Sequence, residues 1–303
     1  MKRTAFVLLL VFGSTVSSFS CEICGCGVGN FYMGNLPRFK TSFIGLRYHY
    51  MRYQTVLASD PSQFSNDYYK TAELWGGINL GSRWQALVFA PYRINRKVSD
   101  DGIVESSGLG DISVLAQYSL LHTRTAGTRA AIDQQLWLGA GLKFATGKYH
   151  LALSDPDANI GDANSQAGTG STDILLTAMH TLNTGRLGLT NTASYKMNTV
   201  NSSGYRFGNR FSLSSAVYYR LPVAGLSVSP SLGLLYEHAA SNKYEQAVVD
   251  GTGGYSLLLT EGLELNLNRI NIGFNMQLPV RQQYAGGQTK LKSRGVLQLS
   301  FAL

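Results

Sequence analysis

All three cysteines of the chain fall in the stretch Cys21-Glu22-Ile23-Cys24-Gly25-Cys26-Gly27. Thiolates at C-x-x-C-x-C spacing, separated by glycines that let the backbone curl, can wrap one soft ion such as Cu(I) or Zn(II). In an exported chain the same spacing suits one disulfide with a thiol left over. Cys21 by itself suits a lipid-modified N-terminus, although Ser18-Phe19-Ser20 before it lack the usual Leu. Cys21, Cys24 and Cys26 are therefore the candidate Cu or Zn ligands, with the disulfide and the lipid anchor as competing readings.

A second set of chemistry-bearing residues is spread along the whole chain. Arg47, Glu73, Arg93, Asp111, Lys143, Lys196, Arg206, Arg210, Arg220, Glu237, Glu264 and Arg294 all fall on the polar side of alternating segments. If those segments close into a cylinder, these side chains face its interior, where they either line a solute path or pair across the lumen and fill it. The excess of Arg and Lys in the set favours anionic or aromatic solutes. Catalysis has no comparable support. The five histidines, His49, His122, His150, His180 and His238, stand in no recognisable arrangement with a Ser and an acid, so the chain reads as non-enzymatic. The formal charge of +8 shows no Lys/Arg cluster interleaved with aromatics, which argues against nucleic-acid binding.

The elements that must position these residues alternate with period two. In the closing segment, Leu297, Leu299, Phe301 and Leu303 share one face and Gln298, Ser300 and Ala302 the other. Ile44, Leu46, Tyr48 and Tyr50 oppose Gly45, Arg47, His49 and Met51. Val114, Ala116, Tyr118 and Leu120 oppose Ser113, Leu115, Gln117 and Ser119. An eighth segment is read from Arg206, with Phe207, Phe211, Leu213 and Val217 on its apolar face. The pattern gives about twelve strands, joined by short turns and long polar loops in strict alternation, among the latter 56–67, 97–108, 146–172 and 281–290. Glu261 falls on an apolar face, and the segment 173–182 alternates poorly, with Leu175 and Met179 opposite Leu176 and His180. A slipped register or a bulge is the expectation there.

No segment supplies the roughly 18 consecutive apolar residues of a membrane helix. Lys2 and Arg3, the apolar run from Ala5 to Phe12 and the small residues up to Ser20 read as a secretory signal. The organisation expected is thus a signal peptide over 1–20, a Cys/Gly-rich periplasmic segment over 21–40, and an antiparallel up-and-down transmembrane β-barrel over 41–303, with both termini in the periplasm.

Three short stretches carry a resemblance. Ser107-Gly108-Leu109-Gly110-Asp111-Ile112-Ser113, Leu142-Lys143-Phe144-Ala145-Thr146-Gly147-Lys148-Tyr149 and Gly168-Thr169-Gly170-Ser171-Thr172-Asp173 resemble, in order and spacing, the transporter-like outer-membrane family labelled "MetA-pathway of phenol degradation", itself loosely similar to the long-chain fatty-acid channels. The chain departs from that pattern at Thr172, where an aromatic is expected. The resemblance implies an outer-membrane barrel that admits small hydrophobic or aromatic compounds. The function expected is passive uptake of small hydrophobic, aromatic or anionic solutes through a Gram-negative outer membrane, the partners being membrane lipid and solute. Two alternatives remain: a barrel-anchored metal-handling or redox protein working through the cysteines, and a closed structural barrel.

Overall fold

A computed structural model describes residues 41–58, 61–100, 102–125, 131–149 and 160–303. The chain forms β1 (Phe43–Val56), β2 (Phe64–Leu80), β3 (Trp84–Ser99), β4 (Gly102–Leu109), β5 (Ser113–Thr125), β6 (Ile132–Lys143), β7 (Asp173–Thr184), β8 (Leu187–Met197), β9 (Tyr205–Arg206), β10 (Arg210–Tyr219), β11 (Leu221–Val223), β12 (Leu226–Ala239), β13 (Lys243–Tyr244), β14 (Ala247–Val248), β15 (Gly254–Leu267), β16 (Ile270–Tyr284) and β17 (Thr289–Ala302). Each wall strand pairs antiparallel with its neighbours in sequence. β1 pairs β17 with Phe43 opposite Ala302, and β10 pairs β12, so the sheet closes as a twelve-stranded antiparallel barrel. β4 and β5 share one place in the wall, β4 against the far half of β3 and β5 against its near half.

Closure gives each wall strand a partner on both sides, which is what a sheet in hydrocarbon requires, while β4 and β11 pair on one side only. The alternation then sorts the side chains. Leu46 and Leu297 are 57% and 52% exposed on the outer wall, while their sequence neighbours Arg47 and Gln298 are buried inside. One end of the barrel is closed by tight turns, two of which use the left-handed residues Gly185 (φ 57°) and Asn268 (φ 48°), a conformation these residue types tolerate best. The opposite end carries the longer connections.

The expected rhythm of loops needs correction at that long-loop end. The polar stretch 97–108 is a hairpin, because Ile94 to Val98 and Ile103 to Leu109 keep the period of two and zip together beyond the barrel body. Likewise β16 runs on to Tyr284 and β17 starts at Thr289, leaving a turn where a loop over 281–290 was expected. A bulge separates the two halves of β16, and the Gln282 side chain bridges to the backbone of Leu291 (3.1 and 2.7 Å) where the ladder is interrupted.

The two awkward places in the alternation resolve differently. β7 pairs β6 and β8 in unbroken register, with no bulge. It alternates poorly because apolar Leu175 and Met179 face inward while His180 faces outward. The outward imidazole is held by Gln134 (2.9 Å) and Asn191 (3.3 Å) from the flanking strands. Such local bonding lowers the penalty of a polar group on an apolar outer wall. Glu261 does face outward near the middle of β15, opposite Leu232 and Met276, and the register around it is regular.

Candidate functional site

The interior is layered. At the short-turn end, a cavity of about 600 Å³ opens inside the wall, lined by residues from nine strands that include Gln85, Ser119, Trp137, Thr190, Tyr218 and Glu264. Its lining is mostly hydroxyls and amides, because these are the inward positions of strands whose outward positions are apolar.

Above it stands an apolar shelf. Phe43, Trp75, Leu87, Phe89, Leu115, Leu175 and Met179 cluster on the inner wall of adjacent strands. Phe43 meets Trp75 edge-on at 4.6 Å, and Trp75 stacks on Phe89 at 6.3 Å. The Arg47 guanidinium lies 4.1 Å from the Trp75 ring centre and 5.2 Å from that of Phe89, while forming an ion pair with Glu73 at 2.8 Å. His49 Nε2 is 3.9 Å from the same carboxylate. A cation above aromatic faces gains from their quadrupoles, and here the cation and both rings pack together as a buried layer of the interior.

A second apolar layer, Met51, Tyr53, Tyr69, Leu235, Leu258, Tyr284, Ala285 and Leu291, lies toward the long-loop end. Near it Arg294 donates two hydrogen bonds to Glu237, at 2.6 and 3.4 Å. β17 and β12 are separated by two strands, so this pair reaches across a chord of the barrel and narrows it.

The connection from β6 to β7 is described over 144–149 and 160–172. Its return limb is tied to the inner wall by a buried charged knot. Lys143 Nζ lies 2.7 Å from Asp111 and 2.9 Å from Asp173, and it donates to the Ser171 carbonyl at 2.9 Å and to the Thr169 hydroxyl. Asp111 accepts from the Thr169 backbone N–H (2.9 Å) and hydroxyl (2.7 Å) and from the Gly147 N–H (3.0 Å). Asp173 accepts from Ser171 and from the Thr199 N–H, with Lys196 3.6 Å away. Asn95 and Asn201 donate to loop carbonyls at Ser165 and Thr169. Thr169 and Asp173 are fully buried. The three stretches that carry the family resemblance thus meet at one place in space, around Asp111, Gly147 and Thr169.

Their glycines permit the meeting. Gly147 and Gly168 pack backbone to backbone, and a Cβ on Gly168 would stand 2.5 Å from the Gly147 carbonyl carbon. Gly168→Ala is expected to lower the barrel's unfolding stability by about 1–3 kcal/mol through this clash. The check is the temperature at which unboiled protein stops migrating as a folded band, with Gly295→Ala, whose Cβ would meet its nearest neighbour at an ordinary 3.7 Å, as the comparison.

Of the residues singled out from sequence, Arg47, Glu73, Arg93, Asp111, Lys143, Lys196, Arg210, Glu237, Glu264 and Arg294 lie on the inward face of the wall, and Arg220 lines the short-turn cavity. Arg206 does not lie in the wall. It belongs to β9, which pairs β13 in a small separate sheet among the long-loop connections. Phe207 likewise is 1% exposed, packed with Tyr205 and Ala163 and contacted by Tyr149 and Tyr244, and does not face lipid. The wall strand restarts only at Arg210 because Asn198 fastens the excursion at its base, bonding Gly208 and Asn209. Asp173, Thr169, Asn95 and Trp75 complete the interior and were missed as site residues. For the first two the signal was present, since both stand in a stretch quoted for the resemblance. Cys21, Cys24 and Cys26 lie outside the described residues.

No protein-family model matches the chain, and no curated protein does. Among solved structures it is similar to an outer-membrane channel from Pseudomonas putida F1, at 14% identity over 87% of this chain and 96% of that one, with a TM-score of 0.62. It is also similar to the beta domain of the Bordetella autotransporter BrkA, at 12% identity over 87% of this chain and all of that one, with a TM-score of 0.49. The first likeness shows a shared outer-membrane barrel fold.

Proposed function

We propose that this barrel sits in a Gram-negative outer membrane with its long-loop end outside, and passes small aromatic, hydrophobic or anionic solutes passively through its lumen. The observation that carries this reading is the open cavity of about 600 Å³ at the short-turn end, lined mostly by hydroxyls and amides together with Trp137 and Met179 of the apolar cluster. There Arg220, 5.8 Å from the Tyr218 ring, and Trp137 offer a carboxylate-bearing aromatic a cation and ring faces in one place. The resemblance of the three loop stretches to the phenol-degradation transporter family supports the aromatic class, and the channel from Pseudomonas putida F1 supports a porin-like mode. The signal over 1–20 and the cysteine segment over 21–40, at the periplasmic mouth, belong to the same reading. Nothing in it requires an energy source.

Purified protein reconstituted in planar bilayers tests the reading. Single-channel current with anion preference is expected, together with faster liposome entry of benzoate than of a neutral sugar of similar size. Folded protein that passes neither ions nor benzoate contradicts the channel and favours the filled, structural barrel.

A further inference from the structure

Among the described wall strands, the outer face at the long-loop end carries Lys and Arg on one arc. Arg96 on β3, Lys70 on β2, Arg52 on β1, Lys292 and Lys290 on β17 and Arg281 on β16 all point outward, and these five strands are consecutive around the barrel. The register sets them close together. Arg52 is opposite Tyr68 on one side and Ser293 on the other, and Tyr68 is opposite Arg96, so Arg96, Arg52 and the bulged Lys292 lie along one cross-strand row. Lys70 stands one step nearer the middle of the wall and Lys290, opposite Gln54, one step farther out. The Gln282 bridge to Leu291 brings Arg281 alongside.

Just below the row come Tyr48, Tyr50 and Tyr92, and below them Ile44, Leu46, Leu74, Leu297 and Leu299. This is the order of an aliphatic belt, an aromatic girdle and then the headgroup level. Lys and Arg at that height extend their stems over apolar surface and place the charge among headgroups. Arg52 is already oriented there, its guanidinium 5.5 Å from the Tyr68 ring and hydrogen-bonded to Asn66. The carboxylates beside this arc among the described residues are Glu105, which pairs with Arg96 at 3.2 Å, and Asp100 at the hairpin turn, which accepts from the Phe64 N–H at 3.3 Å. In their long-loop halves, the outward positions of the other described wall strands, among them Leu142, Ile174, Tyr195, Phe211, Tyr236 and Tyr255, carry no Lys or Arg.

We infer that this arc binds the phosphate groups of an outer-leaflet lipid headgroup, holding one face of the barrel against an anionic lipid. The inference rests on the orientation proposed above, with the long-loop end outside. Clustered cations gain most from a multiply charged phosphate ligand, and at least two of them, Arg52 and Arg96, offer the planar donor fork that phosphate oxygens fit.

The test is retention of lipopolysaccharide by the full barrel in mild detergent, counted by native mass spectrometry, against phosphatase-treated lipopolysaccharide and against inorganic phosphate. The parent is expected to retain the phosphorylated lipid, less so as salt rises. The triple variant Arg52→Gln, Lys70→Gln, Lys292→Gln is expected to lose retention on the order of a hundredfold, at about fivefold per cation near an anionic surface, while an unchanged heat-modifiable band shows that it folds. Equal retention by the variant, equal retention of the dephosphorylated lipid, or displacement by millimolar inorganic phosphate overturns the assignment. No flux is measured, so failure here leaves the channel reading untouched.

Discussion

Asp111→Ala is expected to release the long loop from the barrel interior. In the native protein the Asp111 carboxylate is the hub for Lys143, for both donors of Thr169 and for the Gly147 N–H. Removing it strands the Lys143 ammonium beside the single remaining carboxylate of Asp173 and leaves backbone donors without acceptors in a dry site. Breaking a buried charged pair by deleting one partner costs about 3–5 kcal/mol. The described limb 160–172 is also held by the Asn95 and Asn201 bonds, by the Gly168–Lys148 backbone bond and by Ala163 packed on Tyr205 and Phe207, but the knot ties this limb and not the wall ladder, so the loss falls on loop docking before it falls on the wall. Trypsin cleavage at Lys148 is expected to accelerate by at least tenfold, with larger or longer current openings in bilayers. Asp111→Asn keeps acceptor oxygen and shape but not charge, and is expected to lie between. Unchanged cleavage and unchanged current in Asp111→Ala would refute the assignment of this knot as the latch of the loop.

The legibility of this architecture in the sequence divides along a physical line. Alternation is local and survives in the residue string, so the facing of Leu297, Leu299 and Phe301 against Gln298 and Ser300 could be read directly, and the closed barrel with it. The same rule put Glu261 outward, and the fold has it there. His180 defeated the rule because its outward place is made tolerable by Gln134 and Asn191 on other strands, a fact of pairing and not of sequence. Arg206 and Phe207 mimic a strand opening, but their period of two serves a loop sheet fastened by Asn198. The glycine and aspartate stretches were visible as motifs, yet their meeting around Lys143 joins residues from Asp111 to Asp173 that are distant in the chain. Interior chemistry depends on such nonlocal approach, which alternation cannot encode.

Arg294 and Glu237 show what that approach does to a lumen, and they carry the other large expected effect. The pair crosses a chord of the barrel, with both side chains largely buried and a bidentate contact. Together they are neutral and act as a bar. Separately they are opposite fixed charges in a narrow, poorly screened space, where one charge biases the ions that enter. Glu237→Gln is therefore expected to leave Arg294 as a net positive ring position and to shift selectivity toward anions, whereas Arg294→Gln leaves Glu237 and shifts it toward cations. Each shift is expected to be on the order of severalfold in the anion-to-cation permeability ratio, read as a reversal potential in a salt gradient across a planar bilayer. The double variant Glu237→Ala, Arg294→Ala removes the bar without adding charge, so conductance should rise while selectivity stays near that of the parent. A pair that merely fills protein interior predicts otherwise: all three variants lose stability and none changes the sign of the reversal potential. Opposite shifts from the two single variants thus require that ions pass this pair, because only a mobile ion in the lumen can sense which of the two charges remains.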